Sequence, residues 1–430
     1  MSKDPNARAG QDRRGFLWNL GSSLLPLAGS FVVSLLIAPY LGDAAYGQTM
    51  TVVSAATLLL IGGKFGIHAA TSRLLSEHED TAGLWLRAGL WLRVAFTLGF
   101  ALVGLALTPW WSSLTGGGNV AWMVAPVVVG ASLLEFSGEA LVGLRRFPAL
   151  FGNRLFSLAL RLATVAWVRM ATLGSTAFLA GHSVSQLLPA LLTLGLLARR
   201  HPRGPEPLRP AVRRTYEISL PLALGSASFL VYAHTDRLML AWFHGPAAVG
   251  QFGVARNVID AAMFPLFALA WSLRPALVRA VHRGDEPARA ATLLVGLRGS
   301  LVFALGAPLL MGTVGPTILV WLYHEEYREA GSLLVWMLPV LFLRGIGTLI
   351  FPGLLAADAQ GRYGRLMAWS AGINVIANLA LIPPLGARGA VLGTIVALLP
   401  MTWLGLRDVS RAIGPLPWAS VMRRGGAPPA

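Results

Sequence analysis

An eight-residue phrase occurs twice in this chain, about 200 residues apart: LGDAAYGQ from Leu41 to Gln48 and HGPAAVGQ from His244 to Gln251. Each copy follows a long apolar run with a proline in its first half, Pro26 before the first and Pro221 before the second. Each is followed by another long apolar run. A chain that repeats itself at half its length, and is apolar almost throughout, reads as two homologous bundles of membrane helices. Paired bundles are a common plan for transporters, with the substrate site where the repeats meet.

Composition settles the solvent. Hydrophobic residues make up 55% of the chain and charged residues only 13%, where a soluble domain carries roughly 25% charged. The chain has no cysteine, which excludes disulfides and thiolate metal sites. A net charge of +16 suggests nucleic acid at first sight, but 33 of the 35 basic residues are arginines and most fall between apolar runs. That alternation is the signature of cytoplasmic loops in a membrane protein, so no nucleic-acid partner is expected. The first apolar run, Phe16 to Pro39, exceeds the roughly 7–15-residue core of a cleaved signal and reads as a span.

Apolar runs of span length predict twelve helices, at 16–39, 50–72, 89–111, 120–143, 149–170, 175–198, 217–242, 250–273, 290–312, 332–354, 365–384 and 389–406. Membrane strands need only about 9–11 residues in an alternating pattern, and alternation is absent. The fold class expected is therefore an all-α polytopic membrane protein, with about twelve helices in two pseudo-symmetric six-helix lobes around a central cavity. The lobes are 16–198 and 217–406, joined by a basic, proline-rich linker at 199–216 that reads as an extended strap. Residues 1–15 and 407–430 form the two tails. With the N-terminus inside, cytoplasmic segments hold 23 Lys or Arg, against Arg169, Arg328 and Arg388 in the opposite loops. This asymmetry predicts that both termini are cytoplasmic. The longest outer loop, around Thr313 to Ala330, has room for no more than a turn or two of helix, so no catalytic domain is expected outside. No phosphate-binding G-x-x-x-x-G-K-[ST] loop occurs, which argues against ATP hydrolysis.

Several phrases resemble those of the polysaccharide flippases of the MOP exporter superfamily, the Wzx-type O-antigen and exopolysaccharide transporters. They are LGDAAYGQ, FGIHAATSRL (Phe65 to Leu74), SLPLAL (Ser219 to Leu224), TDRLML with HGPAAVGQFGVA (Thr235 to Ala255), ILVWLYHEEYREA (Ile318 to Ala330) and INVIANLALIPPLGARGA (Ile373 to Ala390). They follow the family's order over about residues 16–400. The chain lacks the added C-terminal helix pair of fourteen-span members. The resemblance implies two six-helix lobes around a cavity, alternating access, and an undecaprenyl-diphosphate-linked oligosaccharide as substrate. It also implies a bacterial cytoplasmic membrane location among membrane lipids, with a polysaccharide polymerase and glycosyltransferases as partners, and neither enzymatic activity nor a cofactor.

Nine basic residues lie outside the loops. Arg93 and Arg274 are expected near span ends, snorkelling to the surface. Seven lie deeper: Lys64, Arg154, Arg161, Arg237, Arg256, Arg298 and Arg344. They share that depth with four acids, Glu135, Glu139, Asp236 and Asp260. A charge at the centre of a lipid-facing helix costs at least about 2.5–3.5 kcal/mol. These residues must therefore pair or line a wet cavity. The surplus of cations points to an anionic substrate, and a diphosphate suits the arginine fork.

Pairing is a competing explanation for some of them. Glu135, Glu139, Arg154 and Arg161 share matching depths across one hairpin and read equally as an ion-pair network. Arg256 and Asp260 are an i, i+4 pair. Lys64, Arg298 and Arg344 have no acid within four residues and are the leading candidates to hold the substrate's charge, with Arg161 and Arg256 next. Glu135, Glu139, Arg154, Asp236, Arg237 and Asp260 are candidates for ion pairing or coupling. In the resembling family the second and seventh helices border the cavity, which favours Lys64 and one of Asp236 and Arg237.

Asn374 and Asn378 share a helix face and read as packing residues. Trp110, Trp111 and Trp122 read as interface anchors. His324, Glu325 and Glu326 lack a fourth ligand at useful spacing, so no metal site is expected, and there is no catalytic triad. A MurJ-like lipid II flippase is an alternative that shares the diphosphate. An ion-coupled MATE-type small-molecule exporter is another, although the surplus of positive charge argues against cationic drugs.

Overall fold

The computed structural model describes residues 5–117, 119–202 and 206–421. The N-terminal end of the chain, part of the linker (203–205) and the last nine residues of the expected tail lie outside the described residues. No strand occurs among those described. Two compact units divide the chain, Met1–Gly250 and Gln251–Ala430.

The first unit begins with α1 (Pro5–Leu41), α2 (Asp43–Lys64), α3 (Ile67–Glu77), α4 (Ala82–Ala106), α5 (Thr108–Leu114), α6 (Val124–Gly143), α7 (Phe147–Met170) and α8 (Ser175–Arg200). It ends within α9 (Leu208–Ala262), which breaks at Gly245. Helix α6 is its centre, packed by α2, α3, α4 and α8, while α1 lies along α7. Ile67, Leu86, Phe136, Leu141, Leu150 and Leu197 form the main core.

The second unit contains the end of α9, α10 (Phe264–Arg283), α11 (Glu286–Tyr323), α12 (Arg328–Trp336), α13 (Leu338–Gly347), α14 (Ile350–Ala356), α15 (Gln360–Leu385), α16 (Ala387–Ile413) and α17 (Trp418–Val421). Its core joins Leu277, Leu297, Leu349, Leu354, Val409 and Ile413. Large apolar side chains cover the outside as well; Leu309 is 70% exposed and Trp321 77%. In water such a surface would aggregate, and in hydrocarbon it is the expected one.

Eleven helices among the described residues are long and apolar enough to cross a membrane. The twelfth expected span, 217–242, is helical along α9, but several of its side chains lie outside the description and it is not among the eleven. Other expected boundaries moved. The second span is Asp43–Lys64 rather than 50–72 and ends where Phe65 and Gly66 take left-handed conformations. Thr49 and Thr51 lower the hydropathy at its start, yet each hydroxyl donates back to its own helix, to the carbonyls of Tyr46 (2.6 Å) and Gly47 (2.9 Å). Such back-bonding lets a polar residue sit inside an apolar bundle.

The third span includes Ala82–Ala106 rather than 89–111, and 332–354 is broken into α12, α13 and α14. Helix α11 runs on to Tyr323 and absorbs much of the expected outer loop. The linker is not extended throughout, because α9 starts at Leu208.

The duplicated phrase marks the same backbone event twice. Gly42 (φ 80°, ψ 166°) and Gly245 (φ 79°, ψ 178°) break the chain at equivalent positions with almost the same dihedrals. Only glycine adopts that region without strain. A turn later Gly47 and Gly250 meet reciprocally: a Cβ on Gly47 would overlap the Pro246 carbonyl, and one on Gly250 would overlap the Asp43 carbonyl. Two helix starts thus cross backbone to backbone within the first unit.

Gly47→Ala should therefore lower stability by about 1–3 kcal/mol, the usual cost of forcing atoms into a full site. Gly99→Ala, where a Cβ would meet nothing within 4 Å, should be neutral or slightly stabilising. Thermal unfolding of both variants in detergent checks this, and equal melting temperatures would refute the close crossing.

Candidate functional site

Each compact unit contains one carboxylate held between two cations. In the first unit it is Glu135 of α6. Lys64 Nζ, at the last residue of α2, lies 2.6 Å from Oε1, and Arg93 Nη2, midway along α4, lies 3.0 Å from Oε2. The same Arg93 nitrogen donates to the Ser132 carbonyl at 3.0 Å, and the Ser132 and Thr97 hydroxyls are 2.5 Å apart. Arg93 is fully buried, while Lys64 is 16% and Glu135 27% exposed. Lys64 also sits where the negative end of the α2 dipole favours a cation.

In the second unit the carboxylate is Asp260 of α9. Arg344 Nη1, from α13, lies 2.6 Å from Oδ1, and Arg256 Nε, one turn earlier on α9, lies 3.3 Å from Oδ2. Asp260 is 40% exposed, so this triad is wetter than the first.

Both triads carry a net charge of +1. Short, well-aligned contacts offset the desolvation of these ions. A carboxylate offers only about four lone-pair sites. An incoming phosphate, with the same planar or forked acceptor geometry, can compete for the same guanidinium donors.

Several expected roles change with this geometry. Arg93 does not snorkel; it is the most buried cation of the first triad. Its depth was hidden because the third span starts earlier than hydropathy placed it, which puts Arg93 mid-helix. Counting Arg93 with the seven deep cations raises their excess over the four acids to four.

The quartet of Glu135, Glu139, Arg154 and Arg161 does not close as an ion-pair network. Glu135 is taken by Lys64 and Arg93, and among the described residues no ion pair within 4 Å joins Glu139, Arg154 or Arg161. The Arg154 guanidinium instead lies against Gly138, where a Cβ would come within 3.3 Å of Nη2. The Nε atoms of Arg154 and Arg161 are buried without a hydrogen-bond partner.

Lys64 and Arg344, which lack an acid nearby in sequence, find one across helices. Arg298 donates from Nη2 to the Ser420 carbonyl at 3.0 Å and so holds the short α17. Asp236 is buried and accepts from the Arg237 amide at 2.8 Å, while Arg237 is half-buried with no ion pair within 4 Å among the described residues.

Arg274 is exposed, with its guanidinium 5.9 Å from the centre of the Phe351 ring. Asn374 and Asn378 are fully buried and bonded to each other at 3.0 Å, which makes them packing residues. Trp110 and Trp122 are exposed, but Trp111 is only 4% exposed and donates to the Gly104 carbonyl at 3.0 Å, so it is a core residue and no anchor. Glu325 pairs with Arg328, and no group of three potential metal ligands occurs among the described residues.

The model of a family described as polysaccharide biosynthesis protein matches residues 13–281, more than half of the chain. The chain belongs to the polysaccharide biosynthesis protein family. One curated relative, described as probable flippase AglR of Haloferax volcanii, is 29% identical over 199 residues. That match covers 44% of this chain and only 40% of the relative's own length.

Among solved structures, a lipid II flippase MurJ in an inward closed conformation superposes with a TM-score of 0.75 at 13% identity, over 92% of this chain and 87% of the other. An inward-facing MATE multidrug resistance transporter of the MOP superfamily gives 0.68 at 15% identity, over 91% and 94%. These likenesses show the fold. This family member is thus a multi-pass, all-helical membrane protein with the fold of those solved transporters.

Removing Glu135 should strand two buried cations. Glu135→Ala is expected to cost about 3–5 kcal/mol, the range for an orphaned buried ion. Asp260→Ala should cost less, because Asp260 is 40% exposed against 27% for Glu135 and Arg256 is less sealed than Arg93. Thermal unfolding of the two purified variants decides, and equal losses would overturn the ranking.

Proposed function

We propose that this protein is a flippase-type transporter, not an enzyme, that moves an undecaprenyl-diphosphate-linked oligosaccharide, a polysaccharide repeat unit, across the bacterial cytoplasmic membrane by alternating access. The observation that carries this reading is the pair of cation–carboxylate–cation triads. Each holds two cations on one carboxylate at rest, Lys64 and Arg93 on Glu135 and Arg256 and Arg344 on Asp260. A diphosphate can take over donors from Glu135 or Asp260, and the carboxylate takes them back when the phosphate leaves. Exchange of that kind keeps binding from becoming a trap, since a transported ligand must hold one state better than the next without staying in either. Lys64 and Arg344 are assigned the charge-holding role, with Arg93 and Arg256 as their partners in the triads. Arg161 contributes a further buried cation in the first unit. Arg298 is assigned to the substrate only secondarily, since its visible bond is to α17. The polyprenyl tail stays in lipid throughout. Both termini face the cytoplasm, in line with the loop charges, and the protein works beside the glycosyltransferases and polymerase that make and consume its substrate.

Flipping of a short-sugar polyprenyl diphosphate in proteoliposomes tests this directly. Arg344→Ala and Lys64→Ala should each slow the flipping rate by about tenfold or more, the loss of one charge-assisted hydrogen bond to phosphate, and Lys64→Arg should keep most of it. Melting temperatures close to wild type must accompany the comparison. Full activity in both alanine variants would move the site elsewhere. Extrusion of organic cations by a wild type that flips no lipid would favour a small-molecule exporter.

A further inference from the structure

A second cationic site lies at one end of the α15–α16 hairpin, in residues that the triads do not use. The hairpin turns at Gly386, so the first turns of α15 lie beside the last turns of α16. There a pocket of about 440 Å³ is lined by Arg362, Arg365, Leu366, Trp369, Asp408 and Arg411. Its volume falls within the roughly 300–1,000 Å³ range of small-molecule sites. None of the three arginines makes a side-chain hydrogen bond or ion pair with the protein among the described residues, and neither does Asp408. The pocket therefore carries a net charge of +2 with every charged group unengaged. Its wall is firm, because Leu366, Val409 and Ile413 belong to the buried core of the unit. Arg362 and Arg365 sit in the first two turns of α15, where they add to the positive end of the helix dipole instead of cancelling it. No side chain caps that helix start.

The surroundings locate this pocket in the membrane. Trp369, one turn deeper than Arg365, is 74% exposed, and Trp403 on α16 is 65% exposed. The Arg407 guanidinium lies 5.6 Å from the centre of the Trp403 ring. Exposed tryptophans mark the boundary between headgroups and hydrocarbon. Arginines one turn outward from them stand at the level of phosphodiesters, and basic pockets between helices at that level take anionic headgroups. Retention of positive loops would account for scattered arginines on this face. It does not account for three of them converging on one unpaired carboxylate.

We propose that this pocket binds an anionic glycerophospholipid whose headgroup bears hydroxyls, of the phosphatidylglycerol kind. The arginines hold the phosphodiester, Asp408 accepts from a headgroup hydroxyl, and the acyl chains run down past Trp369. A zwitterionic headgroup would bring an ammonium against three guanidinium groups and bind poorly.

The test is lipid binding by the full-length protein, measured by native mass spectrometry as phosphatidylglycerol is titrated into detergent micelles. The triple variant Arg362→Gln, Arg365→Gln, Arg411→Gln should lose roughly a hundredfold in affinity, since each basic residue near an anionic lipid contributes about fivefold. Arg365→Gln alone should lose about fivefold and serves if the triple variant folds poorly. Arg328→Gln, on an exposed residue paired with Glu325, should change nothing. Asp408→Asn should weaken phosphatidylglycerol while leaving phosphatidic acid unaffected. Unchanged binding in the arginine variants, or equal binding of phosphatidylcholine, overturns the proposal. Displacement of the lipid by inorganic phosphate or by a polyprenyl diphosphate at comparable concentration also overturns it, and assigns the pocket to free phosphate or to the transported lipid.

Discussion

A charge carried into hydrocarbon is costly unless it brings a partner, and two carboxylates of this protein each meet that cost by holding two cations from neighbouring turns or helices. Lys64, Arg93 and Glu135 come from three helices of the first unit, so α2, α4 and α6 are bound together by the same electrostatic requirement that disfavours each residue alone. Asp260, Arg256 and Arg344 do the same for α9 and α13. In both units the cations of the triad outnumber its single carboxylate, and each carboxylate is shared between helices. On the proposed function, stability and ligand attraction draw on the same side chains.

The two triads differ in solvent access. Arg93 is sealed from solvent, whereas Asp260 is 40% exposed. The first lies beside a helix break at Phe65 and Gly66, next to Lys64. In the second, Asp260 is more exposed than Glu135, and Arg256 more than Arg93.

The helical class and most spans were legible from hydropathy, because about twenty apolar residues per crossing leave a strong signal, and the repeat showed in the paired octapeptides. Arg256–Asp260 was legible as well, being one turn apart on a helix. The partners of Lys64 and Arg344 were not. Glu135 and Asp260 reach them through tertiary packing, and Arg344 and Asp260 are 84 positions apart. Arg93 was misjudged for a different reason: threonines and a glycine-rich start obscured where the second span begins, and the error carried forward into the third. Hydropathy blurs span ends by several residues, and a few residues decide whether an arginine snorkels or anchors. Arg298 was equally opaque, since its acceptor is a backbone carbonyl that leaves no trace in composition.

The reciprocal meeting of Gly47 and Gly250 has the geometry of an isologous contact, in which one patch is met by its own counterpart. In a true homodimer both sides of such a contact are identical and mutate together. Fusion into one chain lifts that restriction, and the two copies have diverged at the helix start. Asp43 places a carboxylate at the positive end of α2, while Pro246 supplies a ring with its φ already set for a helix. One half of the crossing thus opens on a carboxylate and the other on a proline ring.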